Sequence, residues 1–225
     1  MGSDWWKRLP EDERREYERS NAISEVPLPH HEAFPKVIGA LVEALAADDA
    51  AEVQRVSNVL VRGICRTLKT TRAVVRVAND RPHHAGGELH GLYEPGEDGS
   101  VAHITVWMRT AKRGEVVAPR TFLRTLLHEV GHHLDMELFD LPESYHSRGF
   151  YRRESSLYRI LTRDTDLAPH RRGGRGRAPQ PASAGPAEEP QSRQKVSANE
   201  GLAMLRAVAD EIRQRRRNRS GSESL

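Results

Sequence analysis

Apolar residues recur at three- and four-residue spacing along residues 31–47, where Phe34, Val37, Ile38, Leu41, Val42 and Leu45 share one face. Along Ala50–Leu68 the residues Val53, Val56, Val59, Leu60 and Ile64 do the same. That period returns side chains to one side of a helix, so both segments are predicted to be amphipathic helices with this face in a core. The period then changes. Ala73–Ala78 is rich in valine and stops at Asn79-Asp80-Arg81-Pro82, and residues 89–93 form a second short apolar run. The turn-rich stretch 94–100 leads into an alternation over 101–109 that predicts a strand. Ile104, Val106 and Met108 are expected to face the core, and His103, Thr105, Trp107 and Arg109 to face outward. Residues 119–138 restore the helical period through Leu123, Leu126, Leu127, Val130, Leu134 and Leu138, with a proline in the first turn. A further helix is expected at about 149–161. The order predicts an α+β domain at 30–167, a small mixed sheet packed on helices.

The flanks read differently. Residues 1–29 carry Trp5-Trp6, a charged stretch at 11–19 able to form a helix, and Pro27-Leu28-Pro29, which halts it. An N-terminal arm is expected there, its tryptophans packing on the domain or remaining mobile. Residues 168–196 have the Gly/Arg and then Pro/Ala/Gly/Ser composition of a flexible, disordered linker. Ser197-Ala198-Asn199-Glu200 fits a capping box ahead of Leu202, Leu205, Val208, Ala209 and Ile212, so 197–225 is predicted to be a terminal amphipathic helix with a basic end. Charge divides along the same line. Residues 168–225 hold 12 Lys+Arg against 6 Asp+Glu, net +6, which leaves −3 for the first 167. The arginines at 171–177 and 213–219 suit a salt-sensitive phosphate contact, making nucleic acid a candidate partner of the tail. A single cysteine, Cys65, excludes a disulfide framework or a Cys-rich zinc ribbon. No apolar run approaches the roughly 18 residues of a membrane helix, so no membrane partner and a cytoplasmic location are expected.

The chemistry lies within 119–138, in His128-Glu129-Val130-Gly131-His132. Residues four apart sit about one turn up the same helical face, so both imidazoles reach one Zn²⁺ while Glu129 stands beside its open position. This HExxH arrangement is the core of a zinc peptidase. A catalytic zinc needs a third protein ligand, and three residues compete for the place. Asp135 is on the same face one turn on, and its short side chain suits supporting a ligand better than ligating. Glu154 follows His132 by 22 residues on the next helix, as the glutamate of gluzincins does. His146 follows the turn at Leu141-Pro142-Glu143 and opens His146-Ser147-Arg148-Gly149-Phe150. His133, five residues from His128, projects off the ligand face as a packing histidine.

HExxH, a gap of thirteen residues, and a histidine with Phe150 four further on resemble the SprT-like zinc peptidases, the group that includes the Spartan DNA–protein crosslink proteases. The resemblance covers about residues 100–160. Ser147 stands where the family pattern has glycine, and no four-cysteine ribbon follows. It implies a zincin-like fold, one zinc held by His128, His132 and His146, and Glu129 as catalytic base; Glu154, placed as in gluzincins, stays the alternative third ligand. The implied activity is hydrolysis of peptide bonds in a protein or peptide substrate. Tyr145, Tyr151 and Tyr158 are candidates to steady the oxyanion. The strand at 101–109 is the candidate partner for an extended substrate, with Trp107 and Arg109 touching its side chains. Two other readings stand beside this one: a regulatory peptidase of the ImmA type, and a zinc-stabilised, non-catalytic binding module with a nucleic-acid-tethering tail.

Overall fold

The computed structural model describes residues 5–30, 32–79, 83–84, 87–88, 90–96, 100–111 and 113–168, and of 83–84 and 87–88 the backbone alone. The linker and terminal helix expected beyond Ala168 lie outside the described residues. A short 3-10 turn (Trp5–Arg8) precedes α1 (Glu11–Ala22), α2 (Ala33–Ala46) and α3 (Ala50–Leu68). Next come β1 (Ala73–Ala78), the two-residue strands β2 (His83–His84) and β3 (Gly87–Glu88), β4 (Gly91–Glu94) and β5 (Ala102–Trp107). The helices α4 (Pro119–Glu137) and α5 (Arg148–Thr162) complete the order. The class is α+β. Among the described residues no helix is long and apolar enough to cross a membrane.

Local chemistry sets the ends of these helices. The Asp49 carboxylate accepts from the Glu52 N–H at 3.0 Å to start α3, and Lys69 closes it in the left-handed region at φ 57°. Pro119 occupies the first turn of α4. Ser147 caps α5 by accepting from the Phe150 N–H at 3.1 Å, which fixes how the chain turns from His146 into that helix. The apolar faces then meet in one core: Ile38, Leu41 and Leu45 of α2, Val56, Leu60 and Ile64 of α3, Val75, Ile104 and Val106 of the sheet, Leu123, Leu127 and Val130 of α4, and Leu157 and Leu161 of α5.

Strand order bears on where a substrate could pair. The sheet runs β1-β5-β4, with β5 parallel to β1 and antiparallel to β4. The strand expected to offer an edge to substrate is therefore the central one, hydrogen-bonded on both sides. Ile104, Val106 and Met108 are buried as expected, but Thr105 and Trp107 are buried too, at 8% and 3% exposure. Alternation tells which residues share a face; it does not tell whether the second face is covered. Trp107 thus has no surface to offer a substrate, and Arg109 is held by the carboxylate of Asp48 and by the Gly114 carbonyl at 2.8 Å. Of the described sheet, β4 is one edge. β1 is the other, and α3 covers part of it: Asn58 bonds both the N–H and the C=O of Val75 at 2.9 and 2.7 Å, and Gln54 accepts from the Val77 N–H at 3.0 Å.

The N-terminal segment belongs to the same compact unit, Met1–His170. Trp6 stacks on the buried Tyr17, and Trp5 lies against Tyr17 and Tyr145. Beneath them Arg153, 2% exposed, donates to both carboxylate oxygens of Asp135 at 3.0 and 2.8 Å and to the carbonyls of Ser20 and Ile23 at 2.7 and 2.8 Å. One guanidinium therefore ties α1 and the chain after it to α4 and α5. Arg153→Ala leaves the Asp135 carboxylate buried and unpaired, and is expected to cost about 3–5 kcal/mol in urea denaturation. A loss below about 1 kcal/mol would show that water replaces the guanidinium at little cost.

Candidate metal centre

His128 and His132 rise on one face of α4, and the Ser147 cap brings His146 over them. Their Nε2 atoms converge: His146 Nε2 is 3.1 Å from His128 Nε2 and 3.1 Å from His132 Nε2, and the three ligand atoms lie within 4.8 Å of one another. Zinc–nitrogen bonds of about 2.0–2.1 Å at near-tetrahedral angles put ligand nitrogens about 3.3 Å apart. The spacing fits a metal ion, and the three residues can hold one.

The outer nitrogens decide where the lone pairs point. Glu154 Oε2 lies 3.2 Å from His128 Nδ1, and a carboxylate only accepts, so Nδ1 carries the proton. Ser144 Oγ lies 2.8 Å from His132 Nδ1 and donates its own hydrogen to Asp135 Oδ2 at 3.1 Å, so it accepts from that ring. Held this way, neutral His128 and His132 turn their Nε2 lone pairs toward the common point, where a cation would accept them. Glu154, a candidate third ligand, instead orients His128 and is itself paired with Arg124 at 3.5 Å. Asp135 acts through Ser144, the far end of a His132–Ser144–Asp135–Arg153 chain. Ser144 and Arg153 had no distinguishing signal in the sequence; both matter only because loop and helix meet here.

Electrostatics follow from the same crowding. Burial pushes His132 well below the usual histidine range, helped by the neighbouring His128 and His146. Burial and His128 bring His146 down to about 4; the residue is exposed, but its Nε2 faces the other two rings. Burial would lower His128 as well, yet its hydrogen bond to Glu154 and the charges of Glu129 and Glu154 outweigh it and raise it. The centre favours neutral, ligating imidazoles with one place for positive charge.

Glu129 is 6% exposed, and burial pushes its carboxyl up to about 7, against the pull of His128 and with the repulsion of Glu154. Gly91 of β4 lies directly over it. A methyl group at Gly91 would overlap the Glu129 Oε1 atom, so the absent side chain is what makes room for the carboxylate. Next along β4, Tyr93 bonds His133 Nδ1 at 3.2 Å, and His133, fully buried, donates from Nε2 to the Thr71 carbonyl at 3.1 Å. His133 is thus the packing histidine the spacing predicts, and it joins β4 to α4. Phe150 packs its ring 4.8–5.1 Å from all three histidine rings. Of the candidate tyrosines, Tyr151 stays by the site, half exposed and 5.9 Å ring to ring from His146. Tyr145 does not: its hydroxyl donates to Glu13 at 2.8 Å among the N-terminal aromatics. Nor does Tyr158, which donates to the Leu167 carbonyl at 2.9 Å. Compared with known proteins, the chain matches no family model, no curated protein and no solved structure.

Proposed function

We propose that this protein is a zinc-dependent peptidase of the SprT-like kind, hydrolysing peptide bonds with Glu129 as general base. The observation that carries the reading is the convergence of three Nε2 atoms, with the outer nitrogens of His128 and His132 tied down and a buried carboxyl on the residue next to His128. Zinc is the metal a three-histidine site with room for water suits, and when bound it supplies Lewis acidity to that water and to the scissile carbonyl. Glu129 takes the proton of the attacking water and returns it to the leaving amine. The Tyr151 hydroxyl is the phenol available to the oxyanion. With β5 paired on both edges, the edge strand β4 is where an extended substrate can add, which places its backbone beside Gly91 and Glu129. A purely structural zinc gives no reason to bury Glu129 beside it.

Metal analysis of the purified protein is expected to give about one zinc per chain, and cleavage of an unfolded protein is expected to stop on chelation and return with Zn²⁺. Cleavage indifferent to chelator, or a protein without metal affinity, rejects the reading. A finer test is Gly91→Ala, whose added methyl displaces the Glu129 carboxylate. The expected result is a fall in kcat of roughly 10²-fold with zinc content and KM near wild type. Unchanged kcat would mean that β4 yields to the methyl group instead.

A further inference from the structure

A second cavity, of about 140 Å³, opens on the opposite edge of the sheet, between α3 and β1. Its lining includes Arg62, Arg66 and Arg72 with Asn58, Thr70 and Ala73. All three are exposed, and together they concentrate positive charge around this cavity. Several arginines elsewhere in the domain have their charge taken up by an acid: Arg55 pairs with Glu52, Arg109 with Asp48, Arg124 with Glu154 and Arg153 with Asp135. Among the described residues no acidic side chain pairs with Arg62, Arg66 or Arg72. The last turn of α3 accounts for Arg66 by itself, since a cation there meets the negative end of the helix dipole. Arg62, a turn earlier, and Arg72, on the strand side, have no such reason.

The backbone supplies a fourth donor. Even-numbered residues of β1 face β5, as the bond from the Ala102 N–H to the Arg72 carbonyl fixes, so Ala73, Val75 and Val77 turn their amides to the free edge. Asn58 and Gln54 satisfy Val75 and Val77, whereas the N–H of the buried Ala73 opens on the cavity and none of the described residues accepts from it. That amide is a directed donor available to an anion seated in the cavity.

We infer that this cavity binds a phosphate group, in a free or terminal, doubly charged form. Planar guanidinium forks match phosphate oxygens two at a time, and a fixed backbone N–H adds a directed bond. A concave site between a helix and a strand admits a terminal phosphate, which projects from its ligand, more readily than the flush diester of a nucleic-acid backbone.

The test is nitrogen–proton NMR of the full chain titrated with inorganic phosphate at constant ionic strength, following the Ala73 and Thr70 amides, so that phosphate gathered by arginines outside the domain is not counted. Saturable shifts of these amides are expected, with affinity weakened at least about tenfold in Arg72→Gln and in Arg62→Gln while zinc content stays unchanged. Shifts that rise linearly without saturating, no shifts at Ala73, or equal titrations of wild type and both variants overturn the proposal. A short dephosphorylated DNA duplex forms a second arm. No shift at Ala73 from that duplex is the expected outcome, and saturation by it at lower concentration than inorganic phosphate overturns the terminal-phosphate assignment.

Discussion

Glu129→Gln is expected to leave zinc content and fold intact and to lower peptide hydrolysis by at least about 10²-fold, almost wholly in kcat. The amide has the shape of the carboxyl and occupies the same space under Gly91, so neither β4 nor the histidines need move. It cannot accept the proton of the attacking water. Nor is the fold expected to suffer, because burial already disfavours the charged form of Glu129, as its rise to about 7 records, and the neutral amide removes that cost. The measurement is steady-state cleavage of one unfolded substrate by both proteins, with zinc determined on the same samples. Equal rates would assign the cleavage to a contaminant or to another site and would end the reading of Glu129 as base.

His146→Ala is expected to lose most of the bound zinc, while Glu154→Ala keeps more and weakens affinity by about 10–100-fold. The ranking follows from which atoms face the metal position. His146 Nε2 is within 3.1 Å of both other Nε2 atoms, so its removal opens the ligand set. The Glu154 carboxylate meets the far nitrogen of His128, so its loss frees the ring to turn and exposes Arg124 without a partner, but deletes no ligand. Competition with a zinc-binding dye reads both variants directly. Should Glu154→Ala lose the metal and His146→Ala retain it, Glu154 is the third ligand and the contact with His128 Nδ1 gives way when zinc binds.

Some of the site was legible before any coordinates. A four-residue interval on a helix is a fixed rotation and rise, so His128 and His132 share a face by local geometry alone, and His133 must point elsewhere. Similar local rules give α2, α3 and α4 nearly residue by residue, because the periodicity of Leu, Val and Ile, the Asp49 cap of α3 and the first-turn Pro119 of α4 act within a few residues of one another. For His146 and Glu154 the sequence offered two ligands of suitable type at suitable distance, and residue type does not choose between them.

Which of the two side chains meets the histidine pair depends on how α5 lies against α4: the Ser147 cap and the packing of Phe150 against the three rings go with His146 facing inward, and Glu154 lies behind His128. The same holds for strand order. Alternation over 101–109 marks a strand, but only pairing with β1 on one side and β4 on the other makes it central and closes its edges. Trp107 and Thr105 were misplaced for a related cause: burial of a second face depends on what other elements cover it, which no local period encodes. Gly91, Ser144 and Arg153 carry no sequence signal at all, each being defined by a partner 38, 9 or 18 residues away in the chain, at Glu129, Asp135 and Asp135 respectively. Sequence by itself therefore determined the helices and the pair of histidines, whose interactions are local. The third histidine of the cluster, the edge strand of the described sheet and the support of the site were decided by the folded chain, because they rest on contacts between elements that spacing does not specify.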